Sequence, residues 1–178
     1  MIGIDCMPVI GLVPFSNTLS VPRMSDLAAH ISAEWINQGE AAQRRVLHSS
    51  LIASNIEHEM HKFVAGELII SGSDRVDVLL ASSLASSNGI PLAGLVLTEH
   101  QAPSAQALEF CQAAMKNGLP ILHTKLSTFE TAQQLLSLSN EIPVDDTERA
   151  EQVTRFVASH INAEWLTQLI SDTHKPRL

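Results

Sequence analysis

The stretch from Glu67 to Gly89 constrains the fold most, because it predicts a buried strand, a tight turn and a helix in direct succession. Residues 68–70 form an apolar run that is too short for a helix, and the sequence Ser-Gly-Ser at 71–73 ends it. Beyond the turn, apolar and small residues recur at helical spacing and predict a stripe that faces a core: Val76, Leu79, Leu80, Ser83 and Leu84. A strand that enters a helix through a glycine-containing turn is the basic unit of an α/β sheet, and ligands often bind at such turns.

The ends of this helix have signals of their own. Asp74 stands where an N-cap belongs, and Asp77 follows three residues later, near the positive end of the helix dipole. Asn88 and Gly89 tolerate positive φ and predict the end of the helix.

The rest of the chain repeats this unit. The predicted strands are a short edge strand at 8–14 and further strands at 33–37, 46–53, 92–98 and 119–124. The predicted helices are 23–31, 57–64, 105–116, 129–138, a long helix from the Asp145-Asp146 cap to about 161, and a last helix at 164–170. Strands that alternate with helices predict a mostly parallel sheet covered on both faces, which is a three-layer α/β/α fold.

Composition excludes several classes of protein. Of the 178 residues, 45% are hydrophobic and only 17% charged, so the chain is globular rather than disordered. A net charge of −8, scattered basic residues and 4% aromatics argue against nucleic acid as a partner. The chain has no apolar run of about 18 residues, so we expect no membrane contact and a cytoplasmic location. Cys6 and Cys111 form no paired motif and are expected to be free thiols.

Five short segments in this order resemble one enzyme family, the long bacterial phosphate acetyltransferases, and in particular their middle segment, the DRTGG domain. The segments are Gln38-Gly-Glu, Arg44-Arg-Val, Leu-Ile-Ile-Ser-Gly-Ser-Asp-Arg-Val-Asp at 68–77, Leu-Val-Leu-Thr at 95–98 and Glu-Ile-Pro-Val-Asp-Asp at 141–146. The start at 8–14 and the sequence His-Ile-Asn-Ala-Glu-Trp at 160–165 also resemble that family, so the likeness covers nearly the whole chain. It implies the DRTGG fold, which is similar to the amino-terminal domain of HPr kinase.

One departure from the family pattern concerns a possible pocket. Thr98 is followed by Glu99 and His100 where the family has two glycines, which would permit positive φ or the close approach of a ligand to the backbone. The resemblance further implies that residues 1–40 lead into the domain, that 41–145 form its core, and that 146–178 carry the last helices and the start of a linker to a catalytic domain.

The function that the resemblance implies is regulation or assembly of a phosphate acetyltransferase, which exchanges the acetyl group between acetyl-CoA and phosphate. The implied partners are the catalytic domain of the same polypeptide, further copies in a homo-oligomer, and an effector such as pyruvate or NADH. The chain itself is expected to hold no catalytic residue, cofactor or metal. The alternative is a free-standing α/β interaction domain without a ligand, and an independent enzyme comes third.

The candidate ligand-binding residues are Ser73, Asp74, Arg75 and Thr98, because the strands that precede them are expected to end at one edge of a parallel sheet. The chain has no Walker A sequence and no G-x-G-x-x-G, so the turn at 71–74 is either a structural cap or an anion site at the start of the helix. Arg75 either binds an anionic ligand or pairs with Asp74 or Asp77.

Two other groups of residues have structural explanations. The sequence Glu-His-Glu-Met-His at 57–61 has its histidines three apart rather than the four that a zinc-binding helix needs, and it favours a solvated helical face. Serines and alanines at 81–87 favour tight packing of a helix.

His123 lies near a predicted strand end. It is either at the ligand-binding edge of the sheet or a polar residue whose hydrogen bonds are satisfied within the protein.

Overall fold

In the computed structural model of this chain, the structure describes residues 11–99, 101–139, 141–163 and 167. The chain forms two compact units: one is Val21–Glu141, and the other combines Met1–Ser20 with Ile142–Leu178. None of the helices in the described part of the chain is long and apolar enough to cross a membrane.

The larger unit is built on a five-stranded sheet with the order β1-β5-β4-β3-β2. The strands are β1 (Glu34–Asn37), β2 (His48–Leu51), β3 (Glu67–Gly72), β4 (Gly94–Thr98) and β5 (Ile121–His123). Strands β2 to β5 are parallel, and β1 runs antiparallel at the edge beside β5. The prediction of a mostly parallel α/β sheet is confirmed.

Helices cover both faces of this sheet. The helices of the larger unit are α1 (Met24–His30), α2 (Ile56–Glu59), α3 (Val76–Ser87), α4 (Ala105–Phe110), α5 (Gln112–Lys116) and α6 (Thr128–Leu136), with 3₁₀ turns at Asn17–Ser20 in the other unit and at Met60–Lys62. Leu95 and Ile121 of the sheet pack in one core with residues of α3, α4 and α5. Val96 and Leu122 point to the other face and pack in a second core with α1 and α6. Since the sheet lies between two helical layers, the three-layer prediction is confirmed.

Helix α3 buries only part of the predicted stripe, namely Leu79 and Ser83. Val76, Leu80 and Leu84 of the predicted stripe are 40%, 39% and 62% exposed. The side chains that the helix buries are instead mostly small: Val78, Leu79, Ser82, Ser83 and Ser86. Small side chains let the helix approach its neighbours closely, and the Ser82 hydroxyl donates to the carbonyl of Val78 at 2.8 Å, which satisfies it inside the core. The predicted stripe was therefore wrong at Val76, Leu80 and Leu84, because the small side chains at 82, 83 and 86 are the ones that bring the helix close to its neighbours.

Two predicted helices differ in length from those observed. The segment predicted as one helix at 105–116 divides into α4 and α5, because the N–H of Cys111 bonds to Leu108, three residues back. The helix predicted at 57–64 is the short α2 followed by the 3₁₀ turn Met60–Lys62. The Cys111 thiol is free and buried.

Arg44 fastens the amino-terminal edge of the sheet. Its guanidinium donates to the carbonyl of Leu92, just before β4, at 2.6 Å and to the carbonyl of Asn117, just after α5, at 3.2 Å. It also pairs with Glu40 at 3.1 Å, and the Glu40 N–H donates to Gly118 at 2.9 Å. The Arg44-Arg45 segment of the family resemblance therefore has a structural role at Arg44, which joins three connections at one end of the sheet.

The smaller unit is described by itself. Its helix α7 (Thr147–Ser159) begins where the carboxylate of Asp146 accepts from the N–H of Arg149 at 3.2 Å, so the predicted cap is present. The Arg149 side chain donates to the carbonyl of Leu19 at 2.7 Å. Of the predicted strand at 8–14, Gly11 forms an antiparallel bridge with Ile161, and residues 8–10 lie outside the described residues. The predicted helix at 164–170 also lies outside them, except for residue 167.

Candidate functional site

The predicted ligand-binding residues lie at the carboxyl edge of the sheet, where β3 and β4 end. Gly72 and Thr98 are partners in the parallel ladder, and the N–H of Ser73 donates to the carbonyl of Thr98 at 2.9 Å. The Thr98 hydroxyl is buried, donates to the carbonyl of Ser71 at 3.2 Å and lies 2.7 Å from the hydroxyl of Thr128. The structure therefore brings Ser73 and Thr98 together through their backbones.

Arg75 acts as a clamp at the start of α3. Its guanidinium donates to both carboxylate oxygens of Asp77, at 2.9 and 2.8 Å, and to the carbonyls of Ala53 and Ser54, at 3.3 and 2.9 Å. The hydrogen bond from Arg75 is the largest cause that lowers the pKa of Asp77, and the same bond raises the pKa of Arg75. The predicted pairing with Asp77 is present, and it ties α3 to the segment after β2.

Asp74 is not the N-cap of α3. The residue in the N-cap position is Arg75, which makes no side-chain capping bond, and Asp74 is exposed. The carboxylate that serves this helix end belongs to Asp77, whose pKa is also lowered by backbone hydrogen bonds at residues 77 and 78. The predicted cap was wrong because helical geometry begins one residue later than expected, which places Arg75 at the N-cap, whereas Asp77 lies in the first turn of the helix as predicted.

The backbone at Glu99 adopts a conformation that favours glycine. Its φ is +83°, in the left-handed region where a side chain normally costs free energy. The Glu99 N–H donates to the carbonyl of Leu126 at 2.9 Å, and the Glu99 carbonyl accepts from Nε2 of His123 at 3.1 Å. These two bonds join the loop after β4 to the loop after β5 and hold the unusual φ.

A cavity of about 500 Å³ lies at the same edge of the sheet, at the end of β5. It is lined by the end of α1, the start of β1, the loop after β5 and one residue of α6: His30, Ile31, Ser32, Glu34, His123, Thr124, Lys125, Leu126 and Gln134. None of the four predicted ligand-binding residues is among these lining residues.

The cavity has a buried polar part and an exposed charged part. His123 and Thr124 are 7% and 4% exposed, whereas His30, Glu34 and Lys125 are exposed. A carbonyl only accepts hydrogen bonds, so Nε2 of His123 carries the proton in its bond to the backbone at residue 99, and Nδ1 is its second polar atom. His30 contacts the carbonyl of Gln134 through Nε2 at 2.9 Å, which joins the end of α1 to α6. The arrangement offers donors, an acidic acceptor and one exposed ammonium group.

Sequence reasoning found only one member of this cavity, His123, as a residue near a strand end. The other members come from segments about a hundred residues apart, and their meeting depends on β1 pairing with β5. A usable signal was present in Thr124-Lys125, since polar residues directly after a buried parallel strand lie at the ligand edge of an α/β sheet.

In the described segments, no cluster of three or more His, Cys, Asp or Glu side chains is arranged to hold a metal ion. In the Glu-His-Glu-Met-His segment, Glu59 pairs with Lys62 and accepts from Ser54, and Nδ1 of His61 contacts the carbonyl of His58 at 3.0 Å.

Comparison with known families now assigns the fold. The sequence profile of the DRTGG domain matches residues 26–138, which include the whole sheet, most of helix α1 and helices α2 to α6. The chain belongs to the DRTGG domain family. The predicted resemblance is therefore confirmed, and Glu99, directly after Thr98, has a positive φ that favours glycine.

The relatives that this DRTGG domain matches are phosphate acetyltransferases. It is 69% identical over 177 residues to the enzyme of Acinetobacter baylyi, and the match covers 99% of this chain and 25% of that protein. Identity is 41% over 174 residues with the Pseudomonas aeruginosa enzyme, covering 98% of this chain and 25% of the relative. Identity with the Escherichia coli K12 enzyme is 38% over 171 residues, and the match covers 96% of this chain and 24% of that protein. The chain thus spans about a quarter of the length of these relatives.

A solved structure shares the fold. The CBS and DRTGG domains of the regulatory region of Clostridium perfringens pyrophosphatase superpose with a TM-score of 0.54 and 17% identity, covering 85% of this chain and 66% of that one. At this identity the likeness shows a common fold.

Proposed function

We propose that this DRTGG domain is a regulatory and assembly domain of a phosphate acetyltransferase, the enzyme that exchanges acetyl between acetyl-CoA and phosphate. The observation that carries the proposal is the 69% identity to such an enzyme over 99% of the chain. In this proposal the domain does no acetyl-transfer chemistry, acts in the cytoplasm, and works on the catalytic domain of the same polypeptide.

Support for a regulatory role comes from the carboxyl edge of the sheet. A polar cavity of about 500 Å³ lies there, within the size range of small-molecule sites. The structural neighbour is a regulatory region in complex with an activator, diadenosine tetraphosphate. We propose that a metabolite, with pyruvate and NADH as the first candidates, binds at this edge and that Ser73, Asp74, Arg75 and Thr98 are a second place to examine.

Support for an assembly role comes from α3. Its exposed side carries Val76, Leu80 and Leu84 at a spacing of four residues, while its buried side carries three serines beside Val78 and Leu79. A helix that exposes a row of large apolar side chains is typical of a surface that another protein covers. We propose a homo-oligomer in which a second copy or a sister domain covers this side of α3.

The same exposed side of α3 favours a second candidate, an interaction domain that binds no metabolite. The two candidates differ in whether a small-molecule ligand binds and changes activity. Regulation requires a ligand that binds two states of the protein with different affinities, whereas an interaction domain needs no such ligand.

A chimeric enzyme tests the proposed function. The segment of the Acinetobacter baylyi enzyme that aligns with this chain is replaced by it, and in a second protein the segment is deleted. We expect the chimera to keep acetyl-CoA–phosphate exchange together with the response to effectors, and the deletion to lose the response or the oligomer. The isolated chain serves as the control and should form no acetyl phosphate. A deletion protein with the same effector response and the same oligomeric state as the parent would contradict the proposal.

A further inference from the structure

We propose that the cavity at the end of β5 binds a phosphomonoester of a small polyhydroxylated metabolite, with the phosphate at Thr124 and Lys125 and the hydroxyl groups at Glu34. The regulatory consequence rests on the proposed function, whereas binding itself is a property of this chain.

The position of the cavity in the topology is the first argument. Helices α4 and α5, which precede β5, pack on one face of the sheet, and α6, which follows it, packs on the other. The chain therefore changes faces at the carboxyl end of β5, and the cavity lies just outside this strand end. Ligands of open α/β sheets bind outside the carboxyl ends of the strands.

The donors at this strand end match a phosphate group. Lys125 is exposed and presents a compact positive charge, which is a common phosphate ligand. The Thr124 hydroxyl accepts from the N–H of Leu126 at 3.3 Å, so its own proton can be donated to a ligand. Nδ1 of His123 is a further polar atom at this strand end.

The acidic side of the cavity selects for hydroxyl groups beside the phosphate. Glu34 and His123 are direct partners in the antiparallel ladder of β1 and β5, so a carboxylate acceptor lines the cavity on the strand next to these donors. A carboxylate repels a bare phosphate and accepts hydrogen bonds from vicinal hydroxyls, as acidic residues do with the ribose of dinucleotides. The pairing therefore favours a ligand that carries hydroxyls at one end and phosphate at the other.

The side chains that line the cavity offer no stacking surface for a nucleotide base. No phenylalanine, tyrosine or tryptophan is found among the described lining residues, and only Ile31 and Leu126 are apolar. Bases of nucleotides gain much of their affinity from stacking on such rings. We therefore expect a sugar phosphate to bind as well as the corresponding nucleotide, because the base finds no stacking partner.

Calorimetric titration of the 178-residue chain tests this inference with four probes: ribose 5-phosphate, ribose, inorganic phosphate and AMP. We expect ribose 5-phosphate to bind more tightly than inorganic phosphate, ribose not to bind measurably, and AMP to gain nothing over ribose 5-phosphate. An absence of binding by ribose 5-phosphate, or equal affinity for ribose and ribose 5-phosphate, overturns the proposal. AMP binding far more tightly than ribose 5-phosphate overturns the expected ligand class.

Two exposed residues allow variants that leave the fold intact. Lys125→Ala should weaken both ribose 5-phosphate and inorganic phosphate about tenfold, since it removes a charged hydrogen-bond donor. Glu34→Ala should weaken only ribose 5-phosphate, by about tenfold, and leave inorganic phosphate equal or tighter. The matched controls Lys116→Ala and Glu109→Ala change the same charges on the exposed surfaces of α5 and α4 and should change neither affinity. Equal effects in controls and site variants would show that only net charge matters and would reject the site.

The outcome is separable from that of the chimera. If the chimera responds to effectors and Lys125→Ala within it does not alter the response, the regulatory function stands and this site fails. If ribose 5-phosphate binds with the expected variant pattern and the chimera shows no regulation, the site stands and the regulatory function fails.

Discussion

Replacing Glu99 by glycine should stabilise this DRTGG domain. Glu99 has φ +83°, held by the bond of its N–H to Leu126 at 2.9 Å and by His123 on its carbonyl at 3.1 Å. A non-glycine residue in the left-handed region costs about 1–2 kcal/mol, and glycine gives back about 0.5–1 kcal/mol through the greater freedom of the unfolded chain. The side chain is exposed, so its loss removes little packing. The net gain in the free energy of unfolding should be about 0.5–1 kcal/mol.

Urea unfolding followed by circular dichroism measures this gain, and we expect an unchanged m-value. In thermal unfolding we expect a rise in Tm of about 1–4 °C for a chain of this size. Glu99→Ala is the matched control, since it removes the same charge and side chain but keeps a Cβ at positive φ, and it should show no gain. Equal stabilisation by alanine and glycine would refute the backbone argument, because the side-chain charge would then be the cause. A less stable Glu99→Gly would refute it as well.

Three further predictions concern other parts of the domain. Arg44→Ala should lower the free energy of unfolding by about 2–3 kcal/mol, because two backbone carbonyls lose a charged donor. Arg155→Ala removes an exposed ion pair and should cost less than about 0.5 kcal/mol. Chemical denaturation compares the two variants, and equal costs would contradict the structural role of Arg44. Asp77→Asn should destabilise the domain at pH 7 while Asp74→Asn does not. The folded pKa of Asp77 lies below its ordinary 3.8, so its contribution is present above that value and disappears as the pH falls through the folded pKa; a deficit of Asp77→Asn that is constant from pH 7 to pH 2 would oppose this. Leu84→Glu should convert an oligomer into a monomer in light scattering while the far-UV circular dichroism spectrum stays that of the folded chain. An unmodified chain that is monomeric at high micromolar concentration would exclude the proposed surface.

Local signals were sufficient for the β3–α3 unit. The apolar run, the Gly72 turn and the Asn88-Gly89 end are each contained within a few residues, and the structure has a strand at Glu67–Gly72 and a helix at Val76–Ser87. The parallel sheet followed from the alternation of such units along the chain. Features of this kind depend on the backbone preferences of neighbouring residues, which is why they can be predicted from sequence.

Long-range packing decided the features that the sequence did not predict. The side of α3 that is buried depends on how closely the helix approaches the sheet, so Ser82 and Ser86 lie inside while Leu84 lies outside. The cavity depends on β1, which is the first strand in the chain and pairs antiparallel with the last strand, β5, while β2 lies at the opposite edge of the sheet. No local pattern in residues 34–37 indicates that partner.

The two candidate places at the carboxyl edge differ in what an anion would meet there. At the turn after β3, the cation is Arg75, whose guanidinium already holds both carboxylate oxygens of Asp77 and two carbonyls, with a further carboxylate at Asp74. An anion that binds Arg75 has to displace the bidentate carboxylate of Asp77, and the hydrogen bonds by which Arg75 fixes the start of α3 are then lost. At the end of β5, the cation is the exposed Lys125, beside hydroxyl and imidazole groups that line an open cavity. Binding there requires no broken ion pair among the described residues, so the charge arrangement favours the end of β5 for an anionic effector and leaves Arg75 as a structural residue.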